Sequence, residues 1–275
     1  MKRVAIVGLG WLGMPLAMAL ASRGWQVTGS KTTPDGVEAA RMCGIDGYQL
    51  ELTPELICDA DDLESLLSVD ALVVTLPASR TVEGGAHYVQ AVQQIVDSAL
   101  AFSVPRIVFT SSTSVYGKAS GVMKENSPLL PETVAGQTLV ELENWLHALP
   151  GTSVDILRLS GLVGPNRHPG RFLAGKTDVA DGDQGVNLVH LDDVVEAIAL
   201  LLQTPKGGHI YNLSAPGHPP RNQFYPAVAS QLGLTPPTFI DDQTAASGKI
   251  IDGNKICSEL GFEYSWPDPQ KMPLA

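Results

Sequence analysis

The chain has 275 residues, 44% hydrophobic and 17% charged, so it can bury a full core in one or two domains and is neither disordered nor coiled coil. Eighteen Lys and Arg against 29 Asp and Glu leave a formal charge of -11, which repels phosphate backbones and anionic membranes at long range. Nucleic-acid and membrane partners are therefore not expected. The cysteines, Cys43, Cys58 and Cys257, lack a CxxC pair and read as reduced thiols of a cytoplasmic chain, not a disulfide framework or zinc site.

At the N-terminus, Lys2 and Arg3 precede the uncharged run Val4 to Ser22, a layout shared with signal peptides. Gly8, Gly10, Gly13 and Pro15 would interrupt an apolar signal helix, whereas a strand, a tight turn and a new helix put each of them to use. A strand is expected at Arg3 to Val7, a helix at Pro15 to Arg23, a strand at Trp25 to Gly29 and a helix at Gly36 to Met42. A weaker strand falls at Ile45 to Leu50. Asp59, Asp61, Asp62 and Glu64 read as the solvated first turn of a helix starting near Asp62. Then come a strand at Ala71 to Thr75, a helix at Gly85 to Phe102, a strand at Arg106 to Thr110, a helix at Val134 to Leu149 and a strand at Ser153 to Leu157. Short apolar runs alternating with longer helical patterns predict an α/β, doubly wound parallel sheet with right-handed crossovers, the dinucleotide-binding Rossmann arrangement.

After about Ser160 the pattern loosens into a Gly- and Pro-rich stretch of the kind that covers ligand sites. Val186 to His190 reads as a strand, Asp193 with Glu196 as a capping box opening a helix at Val194 to Leu202, and His209 to Leu213 as a short strand. Helices are expected at Asn222 to Leu232 and Ile251 to Leu260. The implied division is a Rossmann core, residues 1–160 plus 186–213, and a small substrate lobe, residues 161–185 plus 214–275.

The first strand runs into Gly8-Leu9-Gly10-Trp11-Leu12-Gly13, so a GxGxxG sits between strand and helix in the required order. Gly8 would make the tight turn, Gly10 would admit a pyrophosphate, and Gly13 would let helix and strand pack closely; Trp11 and Leu12 complete the turn. An acid at the end of the second strand would accept the ribose hydroxyls of NAD, but no Asp or Glu occurs before Asp35. Ser30, Lys31, Thr32 and Thr33 stand there instead, one cation and three hydroxyls, which favours NADP over NAD. Leu76 and Pro77, after the Ala71 strand, join the expected cofactor set.

Gly170-Arg171-Phe172-Leu173-Ala174-Gly175-Lys176-Thr177 matches the phosphate-loop pattern, with Gly170, Gly175, Lys176 and Thr177 as its fixed positions. A working phosphate loop follows a buried strand and opens a helix, and neither flank reads that way, so ATP binding is a minor alternative. Arg167, His168, Arg171 and Lys176 gather positive charge in an acidic chain, and Arg167, Arg171 and Lys176 suit a phosphate or carboxylate ligand; a solvated loop is the bland reading. His168 is either a proton carrier or a surface histidine. The six histidines show no metal-ligand spacing, and no metal site is expected.

From Arg106 the chain continues Ile107-Val108-Phe109-Thr110-Ser111-Ser112-Thr113-Ser114-Val115-Tyr116-Gly117, which resembles the catalytic-serine strand of extended short-chain dehydrogenases/reductases, the group that holds nucleotide-sugar epimerases and dehydratases. Arg158, Gly164-Pro165, the run Val189 to Val194, and Ile210-Tyr211-Asn212 follow in the order that group uses. The resemblance implies a serine on the reacting oxygen, here Ser112, and a Tyr followed four residues later by Lys. The matching helix instead carries Ala135 and Leu139, and no tyrosine elsewhere has Lys four positions on. An unperturbed tyrosine has a pKa near ~10 and needs an adjacent cation to act as a base near neutrality. Tyr116, close to Ser112 and Lys118, is one substitute; it could equally pack beneath the cofactor loop. The expectation is an NADP-binding oxidoreductase or epimerase acting on an anionic small molecule such as a nucleotide sugar, with Ser112, Tyr116 and His168 as catalytic candidates. The rival is a catalytically silent, NADP-binding regulator. No oligomeric state is read from the sequence.

Overall fold

The computed structural model describes residues 2–241 and 248–275. Thirteen strands and eight α-helices are present among them, with three short 3-10 turns. The strands are β1 (Arg3–Val7), β2 (Gln26–Lys31), β3 (Asp46–Gln49), β4 (Glu51–Leu52), β5 (Leu56–Ile57), β6 (Ala71–Val74), β7 (Arg106–Ser112), β8 (Gly121–Met123), β9 (Ser153–Leu159), β10 (Gly161–Val163), β11 (Leu188–His190), β12 (Ile210–Leu213) and β13 (Lys249–Ile251). The helices are α1 (Gly13–Ser22), α2 (Pro34–Met42), α3 (Ala60–Leu67), α4 (Val82–Ala101), α5 (Val134–His147), α6 (Leu191–Gln203), α7 (Arg221–Gln231) and α8 (Lys255–Leu260).

Seven strands form one parallel sheet in the order β12-β9-β7-β6-β1-β2-β3, so the order reverses between β1 and β6. A reversal of this kind opens a crevice at the carboxyl ends of the strands, where ligands of open α/β sheets bind. The central strands bury Val4 to Val7, Ala71 to Val74 and Ile107 to Phe109 on both faces, which explains why they read as unbroken apolar runs. The weak segment at Ile45 to Leu50 is the edge strand β3, registered on β2 with Thr28 opposite Asp46.

Contacts divide the described chain into two compact units. The first holds residues up to Val115 together with Pro131–Leu157 and Val195–Ile210. Within it, Asp155 in β9 is fully buried. Its carboxylate accepts Arg106 Nε and Nη2 at 3.1 and 2.8 Å, and His209 N and Nδ1 at 3.0 and 2.9 Å. The second unit holds Tyr116–Leu130, Arg158–Val194 and the described residues from Tyr211 onward. Its core gathers Val163, Val186, Leu188, Ala215, Phe224, Val228 and Met272. The expected lobe of 214–275 includes residues 242–247, which lie outside the described residues.

Three local expectations are corrected. The helix near Asp62 begins at Ala60, because the Asp59 carboxylate caps it, accepting Asp61 and Asp62 N–H at 2.9 and 3.2 Å. Asp193 does not cap a helix, since α6 already starts at Leu191. Its carboxylate instead accepts Ser265 and Trp266 N–H at 2.7 and 3.1 Å. The helix expected over Ile251 to Leu260 is shortened to α8, because Lys249 to Ile251 pair in parallel with Gly121 to Met123.

Candidate functional site

The turn after β1 is built around its glycines. Gly8 holds φ at +103°, and its N–H donates to Ser30 Oγ at 3.1 Å, tying the turn to the end of β2. Thr75 Oγ donates to Gly8 O at 2.6 Å from the neighbouring strand end. A Cβ on Gly13 would lie 1.9 Å from Gly8 O, so α1 starts closer to the turn than a side chain permits. Gly10 differs: a Cβ there would meet nothing within 4 Å. Packing does not require this glycine, and the space beside its backbone is open. Helix α1 begins without a capping side chain or an acid in its first turn; Met14 N–H is taken by Gly10 O at 3.0 Å.

Beside Gly10 lies a cavity of about 480 Å³. Of the expected cofactor set, Gly8, Gly10, Ser30, Lys31, Thr32, Leu76 and Pro77 line it, whereas Trp11, Leu12 and Gly13 do not. Leu12 and Gly13 are buried in the turn instead. Sequence reasoning missed Leu50, Leu52, Thr53, Ser79, His87 and Tyr88, which line the same space. Tyr88 donates its hydroxyl to Leu76 O at 3.1 Å, and burial pushes its pKa up, so it serves as a neutral prop for the strand end. Thr33 turns away to cap α2, accepting Gly36 N–H at 3.2 Å. Lys31 and Thr32 are thus the polar side chains at the end of β2 that combine a cation and a hydroxyl on the cavity wall.

Ser112 ends β7, half-buried, and its Oγ accepts Ser114 N–H at 3.1 Å. Helix α5 packs hard against the turn that follows, since a Cβ on Gly136 would lie 2.8 Å from Ser114 O. That helix carries Ala135 and the buried Leu139, so α5 offers neither a phenol nor an ammonium at those two positions. Deeper on the same helix, the buried Glu143 accepts the Ser111 hydroxyl at 2.6 Å.

Tyr116 is corrected as a proton donor. It is 0% exposed, donates to Asn212 Oδ1 at 2.7 Å and accepts Arg158 Nη1 at 2.9 Å. Burial pushes its pKa up, against the opposing Arg158 charge. Its hydroxyl is committed to a buried network that fixes Arg158, which also donates to Glu125 O at 3.0 Å.

In the second unit, Arg167, His168 and Arg171 line a cavity of about 650 Å³ with Asn166, Gln231 and Leu232. His168 Nδ1 accepts Gly170 N–H at 2.9 Å, which places the proton of the neutral ring on Nε2. Lys176 is not part of this lining; its ammonium sits 5.9 Å from the Phe172 ring centre. The phosphate-loop match also fails on geometry. No helix follows Thr177, and the turn Pro169–Arg171 opens the segment. Gly175 N–H donates to Thr235 O at 2.8 Å and Lys176 N–H to Leu173 O at 3.1 Å, so the amides that would cradle phosphate are spent on protein carbonyls.

A seven-stranded parallel sheet with a glycine turn at its point of reversal defines a dinucleotide-binding protein of the Rossmann class. The model of the NAD dependent epimerase/dehydratase family matches residues 4–214, and the chain belongs to that family. It is 68% identical to Protein YeeZ of Escherichia coli over 274 residues, covering 100% of both chains. Solved structures share the fold at lower identity. UDP-glucose 4-epimerase of Thermotoga maritima with UDP-glucose is 19% identical, with a TM-score of 0.76 over 96% of this chain and 94% of that one. A short-chain dehydrogenase/reductase superfamily protein of Agrobacterium tumefaciens with bound NAD is 21% identical, with a TM-score of 0.75 over 96% and 93%. Among the described residues, no helix is long and apolar enough to cross a membrane.

Proposed function

We propose that this chain binds NADP in the cavity beside Gly10 and acts as an oxidoreductase or epimerase on an anionic small molecule of the nucleotide-sugar class. One observation carries the cofactor choice: Lys31 and Thr32 line the cavity at the end of β2, and among the described residues no carboxylate does. A 2'-phosphate gains a charge-assisted contact with the Lys31 ammonium, whereas a ribose diol would find no acid to accept its hydroxyls. Gly8, Gly10 and the uncapped start of α1 would receive the pyrophosphate, and the bound nicotinamide supplies the hydride chemistry. In the first unit, Ser112 is the candidate for holding a reacting substrate oxygen. In the second, Arg167 and Arg171 are the candidates for an anionic group, with His168 Nε2–H as a candidate proton carrier.

The test is a titration of NADPH and NADH into wild type and Lys31→Ala. Wild type should favour NADPH, and the variant should lose about tenfold in NADPH affinity, roughly 1.4 kcal/mol, with NADH unchanged. Equal wild-type affinities, or equal losses for both cofactors, would overturn the NADP assignment. Ser112→Ala should then abolish turnover while NADPH affinity holds, and unchanged turnover removes Ser112 from the chemistry.

A second reading, a cofactor-binding regulator without turnover, is favoured by Ala135 and Leu139 on α5. NADPH binding with no change in nicotinamide absorbance and no interconversion across a panel of UDP-sugars would select it.

A further inference from the structure

The second unit holds another cavity, of about 310 Å³, that the reading above does not use. Ser214 lines it, is 0% exposed, and has a hydroxyl with no hydrogen-bond partner among the described residues. A buried hydroxyl without a partner is costly, so its persistence at a cavity wall calls for an explanation. His218 shares the wall. Its Nδ1 donates to Val186 O at 2.9 Å, so the neutral ring presents Nε2 as an acceptor. Tyr264 is already committed, donating to Gly253 O at 2.8 Å and accepting Ser214 N–H at 3.3 Å. It therefore shapes the wall and leaves the recognition to Ser214, His218 and Asp252.

The charged residue on the wall itself is a carboxylate. Asp252 lines this space, and among the described residues no Lys or Arg does; Lys124 and Lys255 line the adjoining groove with Glu125, and that groove shares Asp252. Burial pushes the Cys257 thiol on the same wall up, and Asp252, Asp193 and Glu263 add to that rise. Val122, Pro216 and Ile250 supply apolar surface. The geometry points to a binding site for a small organic cation, a protonated primary amine on a compact apolar body. Its N–H groups would meet Asp252, His218 Nε2 and the Ser214 hydroxyl, while the body lies on Ile250 and Pro216. An anion, the class proposed for the substrate, would face Asp252 and no cationic residue of this lining.

Cys257 provides the readout. The full chain is alkylated with iodoacetamide under mildly alkaline conditions, and Cys257 and Cys43 modification is followed by mass spectrometry. The runs contain no additive, millimolar benzylamine, or millimolar benzoate, which has the same ring and the opposite charge. Benzylamine should slow Cys257 severalfold and benzoate should not, with the exposed Cys43 unaffected by either. Asp252→Asn should remove the protection. An unchanged Cys257 rate with benzylamine, or equal slowing by benzoate, overturns the proposal, and these wild-type runs decide it even if the variant misfolds.

Discussion

Gly10 and Gly13 stand three positions apart in one motif, yet they are glycine for different reasons. At Gly13 an added Cβ would collide with Gly8 O at 1.9 Å, so Gly13→Ala must move backbone and should cost about 1–3 kcal/mol. At Gly10 the same methyl meets open space, so Gly10→Ala should melt no lower than wild type while NADPH affinity falls about tenfold. Thermal melts paired with cofactor titration separate the two, and a comparable loss of stability in both variants would refute the distinction. This part of the site was legible because spacing alone places three glycines between a strand and a helix. Leu50, Ser79, His87 and Tyr88 were not legible, since they reach the cavity from segments that only the folded sheet brings together. Tyr116 shows the opposite failure. Its proximity to Ser112 in sequence suggested chemistry, and its hydroxyl is instead spent on Asn212 and Arg158.

Elements were readable where their causes are local. Strand β1 matches its expected bounds because four consecutive apolar residues are buried there. Helix α5 starts where Thr133 Oγ accepts Gly136 N–H at 3.0 Å, so Thr133→Ala should cost about 1 kcal/mol, the usual value of such a cap. At this chain length that lowers the melting temperature by roughly 2–4 °C, and an unchanged melt would show that packing alone fixes the helix start. Misreadings occurred where a distant partner decides. The Asp193 pattern looked like a cap, but its carboxylate serves amides 72 and 73 residues away. Ile251 looked helical, but β8 claims it as a strand.

For the molecule as a whole, buried carboxyls set a pH dependence of stability. Burial pushes Glu125 above its ordinary value of 4.5, against the opposing hydrogen bond from Asn212 N–H. A raised folded-state pKa means that the stabilising contribution is complete below the unfolded value and is lost as pH rises through the folded one. Glu125→Gln keeps a neutral acceptor for Asn212 at every pH. Its melting temperature should therefore rise relative to wild type as pH goes from acid to neutral, and a constant difference across that range would contradict the assignment. Asp193 is raised by burial in the same sense, so the two add to one slope.

The single carboxylate of Asp155 receives Arg106, 49 residues earlier, and His209, 54 residues later. Three chain segments thus end on one acceptor, and the two partners cannot both leave without stranding the Asp155 carboxylate in the interior. Opening there should be all-or-none: the amides around Ile107, Ile156 and Ile210 should exchange with solvent as one cooperative block, at a rate separate from that of the glycine turn, whose ties run to Ser30 and Thr75.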